Sequence, residues 1–207
     1  MPTSSDDTGQ TRRRWDRKAR LYDLLTAPAE RMIGLARGRA WVFQRVPKGR
    51  VLEVGAGTGK NLALYPEGST VVATDLSGMM LARATEKAGR PSGSVRFVLT
   101  DAENLAFKDG AFDNVVATCV FCSVPDPVRG LQEVRRVLRP GGEAVLLEHM
   151  RPGGALGRLF DLLDPIVSRF MGPHINRRTL DNIRKAGLLP VEERNVFSEW
   201  IKVIVAR

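Results

Sequence analysis

The chain has 207 residues, 43% of them hydrophobic and 27% charged, a globular composition that excludes wholesale disorder. Two cysteines exclude a scaffold built on disulfides, and no apolar run is long enough for a membrane-spanning helix. The formal net charge of +9 gathers near the start: residues 11–50 hold twelve Lys or Arg against three acids, whereas 51–207 hold twenty against eighteen.

In chain order, residues 1–10 are polar and read as a disordered tail. They lack the apolar core of a secretory signal, so the expected location is cytoplasmic, with peripheral attachment to a membrane through the basic segment that follows. That segment, 11–48, places Trp15, Ala19, Tyr22 and Leu25, then Ile33, Leu35, Ala36, Ala40 and Phe43, at helical spacing. Pro28 is predicted to divide it into two helices, and Pro47-Lys48-Gly49 is a turn. A strand over 50–54 then runs into a glycine-rich turn, with a helix predicted from Leu62. Strands follow at 70–75, 95–99 and 112–120, with a helix from Met79 to Ala88 capped by Ser77. A helix over 127–138, stopped by Pro140-Gly141-Gly142, leads to a strand at 143–148. The apolar stretch at 150–175, interrupted by Pro165, breaks the alternation and reads as a lid insertion. A helix at 176–186 and two antiparallel strands at 191–197 and 200–206 close the chain. Strands alternating with helices predict an α/β fold, a doubly wound and mostly parallel sheet.

The run Val51-Leu-Glu-Val-Gly-Ala-Gly-Thr-Gly-Lys-Asn61 carries the strongest chemical signal. A phosphate-binding P-loop would need Gly at Val54 and Ser or Thr at Asn61. A dinucleotide fingerprint would need its third glycine one residue later. What remains is a glycine loop of the adenosylmethionine type, with Glu53, Gly55, Gly57 and Gly59 in place. Two acids at strand ends support it. Asp75 can accept both hydroxyls of a ribose, and Asp101, with Ala102 and Glu103 beside it, can accept from an adenine amino group.

With these motifs the chain resembles the class I S-adenosylmethionine-dependent methyltransferases, in the branch of the ubiquinone/menaquinone and bacterial phosphatidylethanolamine N-methyltransferases. Tyr22-Asp23, VLEVGAGTGKN at 51–61, ATDLSGMMLARA at 73–84, TDAENLAFKDGAFDNVVAT at 100–118 and LQEVRRVLRPGGEAVLLEH at 131–149 carry the likeness. The resemblance implies a Rossmann-like sheet of order 3-2-1-4-5-7-6 with strand 7 antiparallel, and a methyltransferase domain over 49–207. It implies S-adenosyl-L-methionine as donor, S-adenosyl-L-homocysteine as product and no metal. The donor contacts it implies are Tyr22, Glu53, Gly55, Ala56, Gly57, Thr58, Gly59, Asn61, Asp75, Leu76, Ser77, Met80, Asp101, Ala102, Glu103, Thr118 and Cys119.

On the acceptor side, His149 follows the fifth strand as a candidate base, and Tyr22 resembles the family's aromatic that closes over the methionine end. His174 with Arg177 and Arg178 beyond the lid could hold a phosphate head group. Cys119 and Cys122 read as small packing residues. A basic segment beside an apolar lid suits a lipophilic acceptor in an anionic membrane surface, with a lipid amine first and a quinol carbon or a thiol as alternatives. A nucleic-acid methyltransferase and a non-enzymatic adenosylmethionine-binding module are the readings from other classes. Nucleic acid is not the expected partner, because no aromatic-interleaved basic platform is present.

Overall fold

The computed structural model describes residues 4–89 and 95–207 of the 207-residue chain, without the side chains of 4–6 and 171. Three helices come first: α1 (Ser4–Lys18), α2 (Tyr22–Met32) and α3 (Leu35–Arg45). The expected tail is therefore helical from Ser4, and its residues 1–3 lie outside the described residues. Pro28 sits inside α2 and does not divide it. The breaks fall instead at residues 19–21 and at Ile33-Gly34, where φ of +70° at Gly34 suits a residue without Cβ.

The sheet strands are β1 (Arg50–Val54), β2 (Thr70–Asp75), β3 (Val95–Leu99), β4 (Phe112–Thr118), β5 (Leu138–His149), β6 (Pro190–Phe197) and β7 (Ile201–Ala206). Their order is β3-β2-β1-β4-β5-β7-β6, as the resemblance implied. Neighbours are parallel except around β7, which runs antiparallel to both β5 and β6. β1 and β4 lie in the middle and are buried on both faces, as central parallel strands must be when both sides are covered. On one face Leu52, Val115, Leu146 and Ile204 pack against Leu131 and Val134 of α5 (Pro127–Val137) and Ile183 of α7 (Thr179–Lys185). On the other, Val51, Val116, Val145 and Val203 pack against Leu35, Val42 and Phe43 of α3.

The helix predicted after the glycine turn shrinks to one 3₁₀ turn at Leu62–Leu64. Pro66 forces Tyr65 into an extended backbone (φ −60°, ψ 137°), leaving no room for a second turn before β2. The site therefore has no helix N-terminus behind the glycines. α4 (Gly78–Ala88) begins as expected, with Ser77 Oγ accepting from Met80 N at 3.1 Å. The insertion after β5 is one helix, α6 (Gly154–Met171), which carries Pro165 within it.

Candidate active site

The carboxyl ends of β1, β2 and β4 converge on a cleft that is open to solvent at its mouth. Its floor is Val54, Gly55 and Gly57, and its sides hold Asp75, Leu76 and Met80, then Thr100, Asp101 and Ala102. Thr118, Cys119 and Val120 form the far wall, with Ser123, Val124 and Pro125 at the rim. Gly55 and Gly57 have φ of +69° and +56°. A Cβ on Gly55 would meet Val120 at 2.4 Å, whereas one on Gly57 would meet nothing within 4 Å. Gly55 is thus glycine for packing, and Gly57 leaves bare backbone facing the cleft.

Asp75 holds this loop. Its Oδ2 accepts from Gly57 N and its Oδ1 from Ser77 N, each at 2.8 Å. Burial raises its pKa against the pull of those backbone donors. Each carboxylate oxygen keeps a lone pair for a ligand hydroxyl. Asp101 Oδ1 accepts from Glu103 N at 2.9 Å, which fixes the second acid at the cleft wall.

Of the predicted donor contacts, Tyr22, Gly55, Gly57, Asp75, Leu76, Met80, Asp101, Ala102, Thr118 and Cys119 line the cleft. The others stand behind it. Ala56 spends its N–H on Thr74 O at 2.7 Å, and a Cβ on Gly59 would meet Leu62 and Ala84. Glu53 is fully buried and accepts from Asn61 at 2.5 Å and from the Tyr65 hydroxyl. Asn61 also donates to Thr118 Oγ1 at 3.0 Å, and Arg39 donates to Asn61 and Thr118 at 3.2 and 2.9 Å. Glu53 and Asn61 therefore brace the loop rather than face the cleft. Glu103 turns away to accept from Asp126 N, and Ser77 donates to Asp16 while capping α4. Thr58 donates to Asp23 of α2 at 2.6 Å.

Sequence reasoning missed the roof. Thr11 and Trp15 of α1 cover the cleft, and Trp15 packs edge-on against Tyr22 with centroids 5.9 Å apart. Asp16 anchors α1 by accepting from Ser77 Oγ at 2.5 Å and Met79 N at 3.3 Å. The spaced Trp15 and Tyr22 were the signal available, but only tertiary placement shows what they cover.

The acceptor-side residues separate. His149 lies outside the cleft lining, at the end of β5 on the α3 face. Burial lowers its pKa, with Glu30 pulling the other way, so the imidazole is neutral near pH 7. Burial raises the Tyr22 phenol far above its ordinary range, so it stays protonated and cannot act as a base. His174 pairs with the buried Asp164 at 2.7 Å instead of facing the cleft. Arg177 donates to Val124 O at 2.8 Å, whereas Arg178 is exposed at the start of α7. The two arginines diverge and form no phosphate clamp, because consecutive residues at a helix start point in different directions.

Two groups stand out at the turn after β4. Cys119 adopts φ of +59°, an unusual conformation for a side-chain-bearing residue. Burial and the Glu148 charge push its thiol up to about 12, and Cys122 also stays protonated. Glu148 accepts from Val120 N and Phe121 N at 2.8 and 3.0 Å, and burial pushes its pKa up to about 7.

A methyltransferase-domain family matches residues 52–146. The chain is similar to a phosphatidylethanolamine N-methyltransferase of Cereibacter sphaeroides, 46% identical over 105 residues, 49% of this chain and about half, 51%, of that protein. It is 35% identical to a demethylmenaquinone methyltransferase of Thermus thermophilus, covering 73% of this chain and 71% of that one. It is 36% identical to a thiol S-methyltransferase of Rattus norvegicus, covering 69% and 61%. Among solved structures, a [4+2]-cyclase aligns with a TM-score of 0.69 at 21% identity, covering 83% of this chain and 80% of that one. That likeness concerns the fold alone, which hosts more than one chemistry.

Proposed function

The chain belongs to the S-adenosylmethionine-dependent methyltransferases, and from that premise we propose that it methylates a lipophilic acceptor, first of all the amine of a phosphatidylethanolamine-type lipid. The donor fits the cleft: two acids stand at the cleft wall where a ribose diol and an adenine amino group need acceptors, and Gly57 leaves the backbone open between them. When bound, adenosylmethionine supplies a methyl group on a cationic sulfur, open to in-line displacement.

The protein contributes position and shielding. Trp15 and Tyr22 cover part of the cleft and shield it from water on that side. Tyr22, held protonated, orients rather than moves a proton. The two cysteine thiols stay protonated and take no part as nucleophiles.

The observation that carries the lipid reading is the pair of helices α2 and α6, whose leucines are left exposed. The test is incubation of the full chain with methyl-labelled donor and, separately, detergent-dispersed phosphatidylethanolamine, a polyprenyl quinol and an alkyl thiol. Label in phosphatidylethanolamine is expected. Label in the quinol or the thiol alone would reassign the acceptor, and label in none would overturn the lipophilic reading.

A further inference from the structure

We propose that the carboxyl edge of the sheet is a bilayer-docking face: α2 and α6 enter the acyl boundary of an anionic membrane, and a cationic cleft between α1 and α6 receives an acidic phospholipid headgroup. The proposal deepens the lipid-acceptor reading by naming how the chain reaches its substrate, and it stands on three observations.

The first is apolar exposure. α2 buries none of its residues, and Leu24, Leu25 and Met32 are 73%, 66% and 76% exposed. On α6, Leu156, Leu159, Leu163, Ile166 and Phe170 recur every three or four residues as one exposed stripe, with Leu162 beside it. Six large apolar side chains on one helix exceed the scattered surface leucine that needs no explanation.

The second is where the acids of α6 go. Asp164 is buried and accepts from Ile175 N at 2.8 Å while pairing with His174. Asp161 is paired with Arg151 at 2.7 Å. The carboxylates are thus occupied on the protein side, and the stripe is flanked by Arg158 and Arg169.

The third is the cleft itself. Arg13, Arg14, Arg17, Lys18 and Arg169 line it with Phe170, and among the described residues no carboxylate lines it. Arg14 and Lys18 donate to Ser168 O and Phe170 O at 3.1 and 3.0 Å, which ties α1 to the end of α6. Among the described residues Arg13, Arg17 and Arg169 enter no ion pair. Burial and the neighbouring Arg14 charge depress the Lys18 pKa, as expected where cations crowd together. Phe170, 72% exposed, belongs to both the cleft and the apolar stripe. A cationic cleft joined through Phe170 to an apolar stripe matches the headgroup and hydrocarbon layers of an anionic membrane. A nucleic acid would answer the charge and leave the leucines unexplained.

The test is flotation of the full chain with vesicles of phosphatidylcholine alone and of phosphatidylcholine with phosphatidylglycerol. Neither offers a free amine acceptor, so docking can fail while transfer to detergent-dispersed phosphatidylethanolamine persists, and the converse. Binding is expected only to the anionic vesicles, weakening with salt. Arg13→Gln with Arg17→Gln should weaken it on the order of 25-fold, about fivefold per charge, the equivalent of about 1 kcal/mol for each basic residue at an anionic surface. Leu162→Ser with Ile166→Ser should weaken it at unchanged charge. Both variants should keep the melting shift given by adenosylmethionine. No flotation of the wild type, equal flotation of the variants, or tighter salt-sensitive binding to RNA would overturn the proposal. So would a stable dimer without lipid that the α6 variant dissociates, or a response to inorganic phosphate with none to vesicles.

Discussion

Asp75 fastens the glycine loop with the same carboxylate that faces the cleft, since both its oxygens accept backbone N–H groups. Asp75→Ala should cost at least about tenfold in adenosylmethionine affinity by calorimetry, because hydrogen bonds to an ionised acceptor are worth about 1.5–3 kcal/mol each. Glu148 gives a different prediction. Its pKa rises from an ordinary 4.5 to about 7 on burial, so the folded state resists ionising it. The stability this group contributes is complete below pH 4.5 and is lost as pH climbs toward 7, a swing of about 3 kcal/mol as an upper bound. Glu148→Gln keeps an oxygen for Val120 N and Phe121 N, and should flatten the melting temperature between pH 5 and pH 8, measured against wild type. The two acids differ in how much the sequence reveals. Asp75 ends a short apolar run after a glycine motif, a pattern visible by eye. Glu148 looks like any residue of a strand, and its work is set by the turn that β4 happens to place against it.

α2 is latched over the glycine loop by charge rather than by apolar packing. Lys60 reaches Glu30 at 2.6 Å and Thr26 at 2.6 Å, and its ammonium lies 4.8 Å from the Tyr22 ring centre. The Lys87–Asp23 pair is exposed by about two fifths on both sides and contributes little, whereas Lys60 and Glu30 are each less than one fifth exposed. Lys60→Met should therefore release α2 by about 1–2 kcal/mol. Limited proteolysis between Ala19 and Gly34 should quicken by roughly tenfold, with little change in global melting. The alternation of strands and helices was readable because apolar period follows secondary structure. The extent of α1, the continuity of α2 through Pro28 and the loss of a helix after Asn61 were not. Each depends on local room: what a proline's neighbours tolerate, and how few residues separate β1 from β2.

At the scale of the molecule, the basic opening segment serves the cleft as well as any surface. Removing residues 1–20 takes away Thr11 and Trp15 together with the anchor at Asp16. The truncated chain should show a smaller melting shift with adenosylmethionine, by about 3–5 °C for a tenfold weaker site at saturating donor. Arg13→Gln with Arg17→Gln, which leaves the roof in place, should keep the full shift. The roof also bears on the order of events in catalysis. α1 spans from α4, through Asp16, to α6, through Arg14 and Lys18, so a donor that exchanges past this roof requires the bridge to lift. A bridge pinned at both ends against a lipid surface would hold its product, and each turnover would then require the protein to hop off before reloading instead of scooting processively along the membrane.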